Sequence, residues 1–182
     1  MNDRLLHHPI SASVADWSRE VKPRWAWMPG KSLLASIRSY QRHRGSNNPL
    51  RIAACKVAVL RHRFWSAVSG ADIPLNCQLG GGLLLPHPNG VVIHPDSRIG
   101  PNCLIFQQVT IGYGYGGVPQ IGGHVDIGAG AKLLGAIRIG DHALIGANAV
   151  VLCDVPAEKC AVGVPARIVD RGRVARAGGL SE

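Results

Sequence analysis

The chain has 182 residues, 46% of them hydrophobic, and 20 Lys and Arg against 11 Asp and Glu give it a formal net charge of +9. That length suits one domain, alone or with a small appendage, and its most apolar short run, "IAACKVAVL", is interrupted by Lys56 and too short to span a bilayer. The first thirty residues lack the apolar core of a signal peptide, and five cysteines with no CxxC argue against a disulfide framework or a zinc ribbon, so a cytoplasmic protein is expected.

The charge is unevenly placed. Residues 1–70 hold 12 Lys/Arg and 3 Asp/Glu, residues 71–182 hold 8 of each, and the whole excess therefore lies in the first part. Trp17, Trp25, Trp27 and Trp65 all lie there too, whereas 20 of the 23 glycines follow residue 70. Three regions are expected: a basic α-helical region over 1–70, a repetitive domain over 71–170 and a tail over 171–182.

Within the first region, "KSLLASIRSYQRHRG" puts Leu33, Leu34, Ile37 and Tyr40 on one helical face and stops before Gly45. Asn48 and Pro49 fit the N-cap and first position of a second helix. Leu50, Ala53, Ala54, Val57, Leu60, Phe64 and Val68 recur at helical spacing, with Arg51, Arg61 and Arg63 read as the opposite side and Gly70 as the stop. Two readings follow. The apolar stripe packs against the rest of the chain or a partner subunit, or a basic aromatic face makes peripheral membrane contact with anionic lipid or a lipid diphosphate sugar. The net charge would also suit DNA, but no recognition motif accompanies it, and no nucleic-acid partner is expected.

From Ile73 an aliphatic residue returns every six positions: Ile73, Leu79, Leu85, Val91. After a step of eight the series resumes at Ile99, Ile105 and Ile111, and after a step of ten at Ile121, Ile127, Leu133, Ile139, Ile145 and Val151. Glycine often follows it, as at Gly80, Gly100, Gly128 and Gly146. A small or apolar residue often falls four positions after it, as at Cys77, Cys103, Val125 and Ala143. A period of six matches neither a helix nor simple alternation. It matches a parallel β-helix of short strands and sharp corners, with the aliphatic residue inside and glycine permitting the corner.

The stretch "IGGHVDIGAGAKLLGAIRIGDHALIGANAVVLCDVPAEKCAVGVPARIV" resembles the hexapeptide-repeat acyltransferases, and with "PHPNGVVIHP" and "IFQQVTIG" their serine acetyltransferase branch. The resemblance covers about residues 71–170. It implies a mainly β fold, a left-handed parallel β-helix of three hexapeptides per coil, built into trimers with active sites between subunits; in some members N-terminal helices pair two trimers. It implies acetyl transfer from acetyl-CoA to a small-molecule hydroxyl acceptor, without a metal. His87 matches the family's general base, and imidazole titrates near the working pH. Pro86 and Pro88 hold it in a stiff extended segment. Asp72, in "ADIPL", matches the aspartate expected to orient that base. With a coil of about 18 residues, position 90 lies above position 72 and His87 stands three residues short of it. The alternatives are a solvent-satisfied corner histidine and a helix-junction cap. His94, His124 and His142 also fall in corner regions and are read as surface residues.

For the cofactor, Ala129 and Ala147 match family positions whose backbone contacts CoA. The loop "GYGYGGVPQ", with Gly112 at its threshold and Gly114 within it, matches one that covers the thioester arm. Lys132 and Arg167 are candidate cations for its phosphates, with plain surface charge as the alternative. Two departures bear on the acceptor. Pro86 stands where the family usually has an acidic residue, and Gly117-Val118-Pro119-Gln120 stands where it usually has Arg-His-Pro-Lys. A clamp for an amino acid is thereby lost, so a sugar or exopolysaccharide precursor competes with serine; a non-catalytic scaffold is the remote third reading. Relatives that dock a sulfhydrylase insert a C-terminal isoleucine; this sequence ends Gly179-Leu180-Ser181-Glu182, and no such complex is expected. Cys77 and Cys103, at interior repeat positions, are expected to be inert.

Overall fold

The computed structural model describes residues 10–23 and 25–171. His7, His8 and the C-terminal residues on which the sulfhydrylase expectation rests lie outside these.

The repeat region is a β-solenoid of about five turns whose strands form three parallel sheets. The first face stacks β1 (Gln78–Leu79), β3 (Arg98–Ile99), β6 (Gln120–Ile121) and β9 (Arg138–Ile139). The second stacks β4 (Leu104–Ile105), β7 (Asp126–Ile127), β10 (Leu144–Ile145) and β12 (Lys159–Val162), with β13 (Arg167–Asp170) added antiparallel. The third stacks β2 (Val92–Ile93), β5 (Thr110–Gly112), β8 (Lys132–Leu134) and β11 (Val150–Val151). The second residue of each two-residue strand turns inward and is buried, so aliphatic side chains run up the bore in three columns. Cys77, Cys103, Val109, Val125, Ala131, Ala143 and Ala149 fill the space between them, as their spacing predicts.

Two details of the repeat differ from the sequence reading. Asp72 pairs with Val92 and Leu79 with Ile99, so the first coil is two residues longer than 18, and Ile93 rather than Val91 heads the third-face column. The eight-residue step therefore spans Leu85–Ile93 and contains His87. Val91 and Ile93 are both buried aliphatics on one side of the chain, which is why the spacing alone misplaced the step. Second, the glycine after the aliphatic residue does not supply the corner's dihedrals. A Cβ on Gly128 would stand 2.6 Å from the Ala147 amide nitrogen of the next coil, so glycine there answers close stacking. The left-handed corner residue comes two positions later and is often not glycine: Asn102, Gln108, His124, His142 and Asn148 all have φ between 52° and 61°.

Two helices precede the solenoid. Helix α1 (Pro29–His43) lies across its open end and buries Leu33, Leu34 and Ile37 in the same core as Ile73 and Leu79. The first coil has no coil beneath it, and α1 supplies donors to its carbonyls. Arg38 donates to the Leu79 and Gly80 carbonyls at 2.6 Å, and Gln41 Nε2 donates to the Leu75 and Cys77 carbonyls. Arg38 also pairs with Glu20 at 2.8 Å and stacks over Trp17. Regions 1–70 and 71–170 thus share one continuous core across the boundary at Gly70.

Helix α2 (Pro49–Ser69) is capped by the Asn48 side chain and stopped by Gly70 in a left-handed conformation, as the sequence indicates. Within the chain it packs through a face other than the apolar stripe. Ala58 and Ser69 are buried, His62 Nε2 donates to the Ile73 carbonyl at 2.8 Å, and Ser66 donates to the Ala71 carbonyl. The stripe of Leu50, Val57, Leu60, Phe64 and Val68 faces outward. Small residues let α2 approach its neighbours closely on one side, and its bulky residues are left on the other.

An N-terminal strap, Ser11–Glu20, runs along the edge between the first and second faces. Asn102 holds it, donating from Nδ2 to the Ser11 and Val14 carbonyls and accepting from the Asp16 amide. His124 and His142 occupy successive corners of that edge with their Nδ1 atoms 2.8 Å apart.

Loss of Arg38 would leave Glu20 largely buried without its partner. Arg38→Ala should lower the unfolding free energy by about 3–5 kcal/mol, measured by denaturant titration, and Glu20→Gln in the same chain should recover part of it. The histidine pair makes stability acid-sensitive. Burial pushes the His124 imidazole below its ordinary value of 6.5, and facing nitrogens 2.8 Å apart share one proton. The unfolded chain binds protons more readily, so this contribution is present above about pH 6.5 and is lost as the pH falls. His124→Asn, which tolerates the left-handed corner, should flatten the decline in unfolding free energy between about pH 7 and pH 5.

Candidate active site

His87 stands on the edge between the second and third faces, inside the two-residue expansion of the first coil. Its turn is fixed by hydrogen bonds around it. The Val91 amide donates to the Pro88 carbonyl, the Gly90 amide to the Gly70 carbonyl and the Gln108 amide to the Asn89 carbonyl; Gln108 Nε2 donates to Asn89 Oδ1 at 2.9 Å. Pro88 is buried, whereas Pro86 and the His87 ring are exposed. A stiff backbone thus presents a solvent-facing imidazole, as the flanking prolines imply.

The same edge continues upward through Gln107 and Gln108, Ala129, and Ala147. The Gly130 amide donates to the Gln107 carbonyl and the Asn148 amide to the Ala129 carbonyl. The fold therefore brings His87, Ala129 and Ala147 onto one edge, with the Gln107–Gln108 corner between the first two and Ala147 on the coil next to Ala129. Ala147 is exposed and Ala129 half-buried, so no large side chain stands on the edge at either position. Gln107, not singled out from the sequence, joins this edge with its Oε1 buried and unpartnered among the described residues. Counting coils after moving the long step to 85–93 is the signal that finds it.

Other candidates lie elsewhere. Gly112 ends β5 and Gly114 sits in the following loop, on the edge between the third and first faces, across the third face from His87. That loop is a tight hairpin. Gly114 and Gly117 exchange both backbone hydrogen bonds, and the Ala136 amide donates to the Tyr115 carbonyl. Tyr115 is fully exposed; Tyr113 tilts toward His94, 6.3 Å between ring centres, and the two tyrosines with Leu134, Ala136 and Leu152 border a cleft of about 580 Å³. Lys132 braces two coils, donating to the Gln108 carbonyl at 2.7 Å and to Thr110 Oγ1 at 3.1 Å. Arg167 is exposed on β13. Asp72 is exposed on the third face with Val92 directly above it, and no hydrogen bond joins its carboxylate to His87 among the described residues.

The chemistry available at the His87 edge is proton transfer by an exposed imidazole. Thiol chemistry has no place in the core. Burial pushes the Cys77 thiol up to about 12 and the Cys103 thiol up to about 11. No cluster of three metal-ligating side chains occurs among the described residues.

Comparison with known proteins bears on what that edge does. No family model matches the chain. A serine acetyltransferase from Synechococcus elongatus is 42% identical over 112 residues, 59% of this chain and 46% of that one. A solved serine acetyltransferase in complex with CoA superposes with a TM-score of 0.65 at 34% identity, over 79% of this chain and 58% of that one. The soybean serine acetyltransferase apoenzyme superposes with a TM-score of 0.58 at 34% identity, over 76% of this chain and 69% of that one. The chain spans about half the length of the curated relatives it matches. None of these comparisons supports excluding a sulfhydrylase partner.

Proposed function

Because the chain belongs to the hexapeptide-repeat acyltransferases, in their serine acetyltransferase-like branch, we propose that it transfers an acetyl group from acetyl-CoA to the hydroxyl of serine. The observation that carries this reading is the single edge shared by His87, Ala129 and Ala147, which sets a rigidly mounted imidazole on the same edge as two small residues. The His87 ring takes the acceptor's hydroxyl proton as that oxygen attacks the thioester carbonyl. The carbon–sulfur bond then breaks, and the proton passes to the departing thiolate. Backbone groups at Ala129 and Ala147 border the pantetheine arm, and the exposed Arg167 is the cation for its phosphates, Lys132 serving only by releasing its bonds to Gln108 and Thr110. Asp72 orients the imidazole after its side chain turns toward the His87 edge.

The hairpin bearing Gly112 and Gly114 lies on the far side of the third face, so one chain does not close the site alone. A trimer, in which this hairpin faces the His87 edge of a neighbour, completes it. The strap covers the remaining edge, which leaves these two free to meet. Five free cysteines suit a reducing, cytoplasmic setting.

A sugar hydroxyl is the second reading of the acceptor. It is favoured by Pro86, by a hairpin at Gly117-Val118-Pro119-Gln120 without a charged side chain to clamp an amino acid, and by the exposed rings of Tyr113 and Tyr115 beside the cleft. Thiol release from acetyl-CoA, followed with serine, homoserine and nucleotide sugars, separates the two. Release with serine alone carries the first reading, and release with a sugar alone the second.

His87→Ala should lower kcat by about 10²- to 10⁴-fold while leaving CoA affinity nearly unchanged. Asp72→Asn should cost less and shift the pH–rate profile. In sedimentation velocity the active species should be a trimer or a pair of trimers; an active monomer overturns the shared-site reading.

A further inference from the structure

The outer face of α2 is built for a partner that is both apolar and anionic. At 100° per residue, Leu60, Phe64, Val57, Leu50 and Val68 form one continuous arc directed away from the protein. Leu60 is 65% exposed and Phe64 56%. Lys56 and Arg63 flank this arc on one side and Arg61 on the other, all exposed. Phe64 meets Trp65 edge-on, Trp65 meets Trp27, and Trp27 is 72% exposed, so an aromatic cluster continues from the helix onto the segment before α1. Trp25, two residues earlier, is 94% exposed.

The charge around this face is of one sign. Between Glu20 and Asp72 the sequence has ten Lys and Arg and no Asp or Glu, and Glu20 is itself paired with Arg38. A soluble, solvated helix face mixes both signs and keeps Leu and Phe off its crest. A nucleic-acid surface would use the cations and leave the apolar arc in water. An apolar crest with cations on both flanks instead matches a bilayer whose headgroups are anionic and whose acyl region lies just beneath them. No described helix is long and apolar enough to cross a membrane, so contact is with one leaflet only.

We propose that α2 and the aromatic cluster of Trp27 and Trp65 dock this protein on the surface of an anionic lipid bilayer. Leu60 and Phe64 enter the interface, and Lys56, Arg61 and Arg63 engage the headgroups. The docked face adjoins the site end of the solenoid. Trp27 borders a cleft with Leu85 and Pro86, the residue before His87. Docking would therefore hold the His87 edge close to the lipid surface. The proposal stands on the helix's exposed chemistry and does not depend on which acceptor is used.

Flotation of the full chain with vesicles tests it. With vesicles of equal parts phosphatidylglycerol and phosphatidylcholine the protein should float and its tryptophan emission should shift to the blue. With phosphatidylcholine alone, or in Arg61→Glu/Arg63→Glu, partition should fall by about tenfold or more. Leu60→Asp/Phe64→Asp should abolish flotation while thermal unfolding and sedimentation coefficient stay as in the unaltered protein. Failure to float with the anionic vesicles overturns the proposal. So does equal flotation of the Asp variant, or a halved assembly in that variant, which would assign the stripe to a second copy of the chain.

Discussion

Coil-on-coil register is the constraint on which everything else in this molecule depends. Each short strand contributes one inward aliphatic side chain, and that side chain is buried only if the coils above and below keep the same phase. The spacing between coils is fixed by backbone hydrogen bonds, and it is tight enough that a Cβ on Gly100 would meet the Gly122 backbone at 2.5 Å. An added residue therefore has nowhere to go within a face and must leave the stack at an edge. The two places where it does are Leu85–Ile93 and Ile111–Ile121, and these form the His87 turn and the glycine hairpin. The same rule that makes the core regular confines the candidate chemistry to its interruptions.

Stacking also creates a problem at its first coil, which has a row of carbonyls and an open apolar bore. Helix α1 resolves both at once, with Leu33, Leu34 and Ile37 filling the bore and Arg38 and Gln41 donating to the carbonyls. The cost falls on α2, which packs through Ala58 and Ser69 and is left with its bulky stripe outward. The exposed face thus follows from which residues α2 can bring close to its neighbours.

The sequence displayed the solenoid plainly, because a period of six leaves a signal that no single substitution erases. It displayed both interruptions as well, but one in the wrong place. Val91 and Ile93 are interchangeable to a pattern and not to a structure, since only Ile93 pairs with the Ile111 strand residue. That slip moved the corner above Asp72 and obscured that His87 lies within the expansion. The site's edge was legible only in part for the same reason. Ala129 and Ala147 can be aligned by counting coils, with His87 on the same edge in the expanded turn, whereas the bracing of Asn89 by Gln108 and of Thr110 by Lys132 depends on side-chain reach. The stripe on α2 was visible, but its burial was not. Helical periodicity finds an apolar face without saying whether the chain itself covers it.

The corner residues carry the last step of this reasoning. His124 and His142 resemble functional residues in a sequence, being paired 18 apart on a repeat that holds a catalytic candidate. Their positions explain them otherwise. Each takes the left-handed conformation at the third residue after the inward aliphatic, the same place occupied by Asn102 beneath them, and the rings meet because the coils stack in register. His87 is at no such repeating position. It lies in residues the repeat does not need, on a turn closed by Pro88, Asn89 and Gly90 hydrogen bonds, with its ring in solvent. A histidine that the fold requires is accounted for by the fold. The one the fold accommodates by breaking its own period is left unexplained by the fold, and it is the one to which the proposed function gives a task.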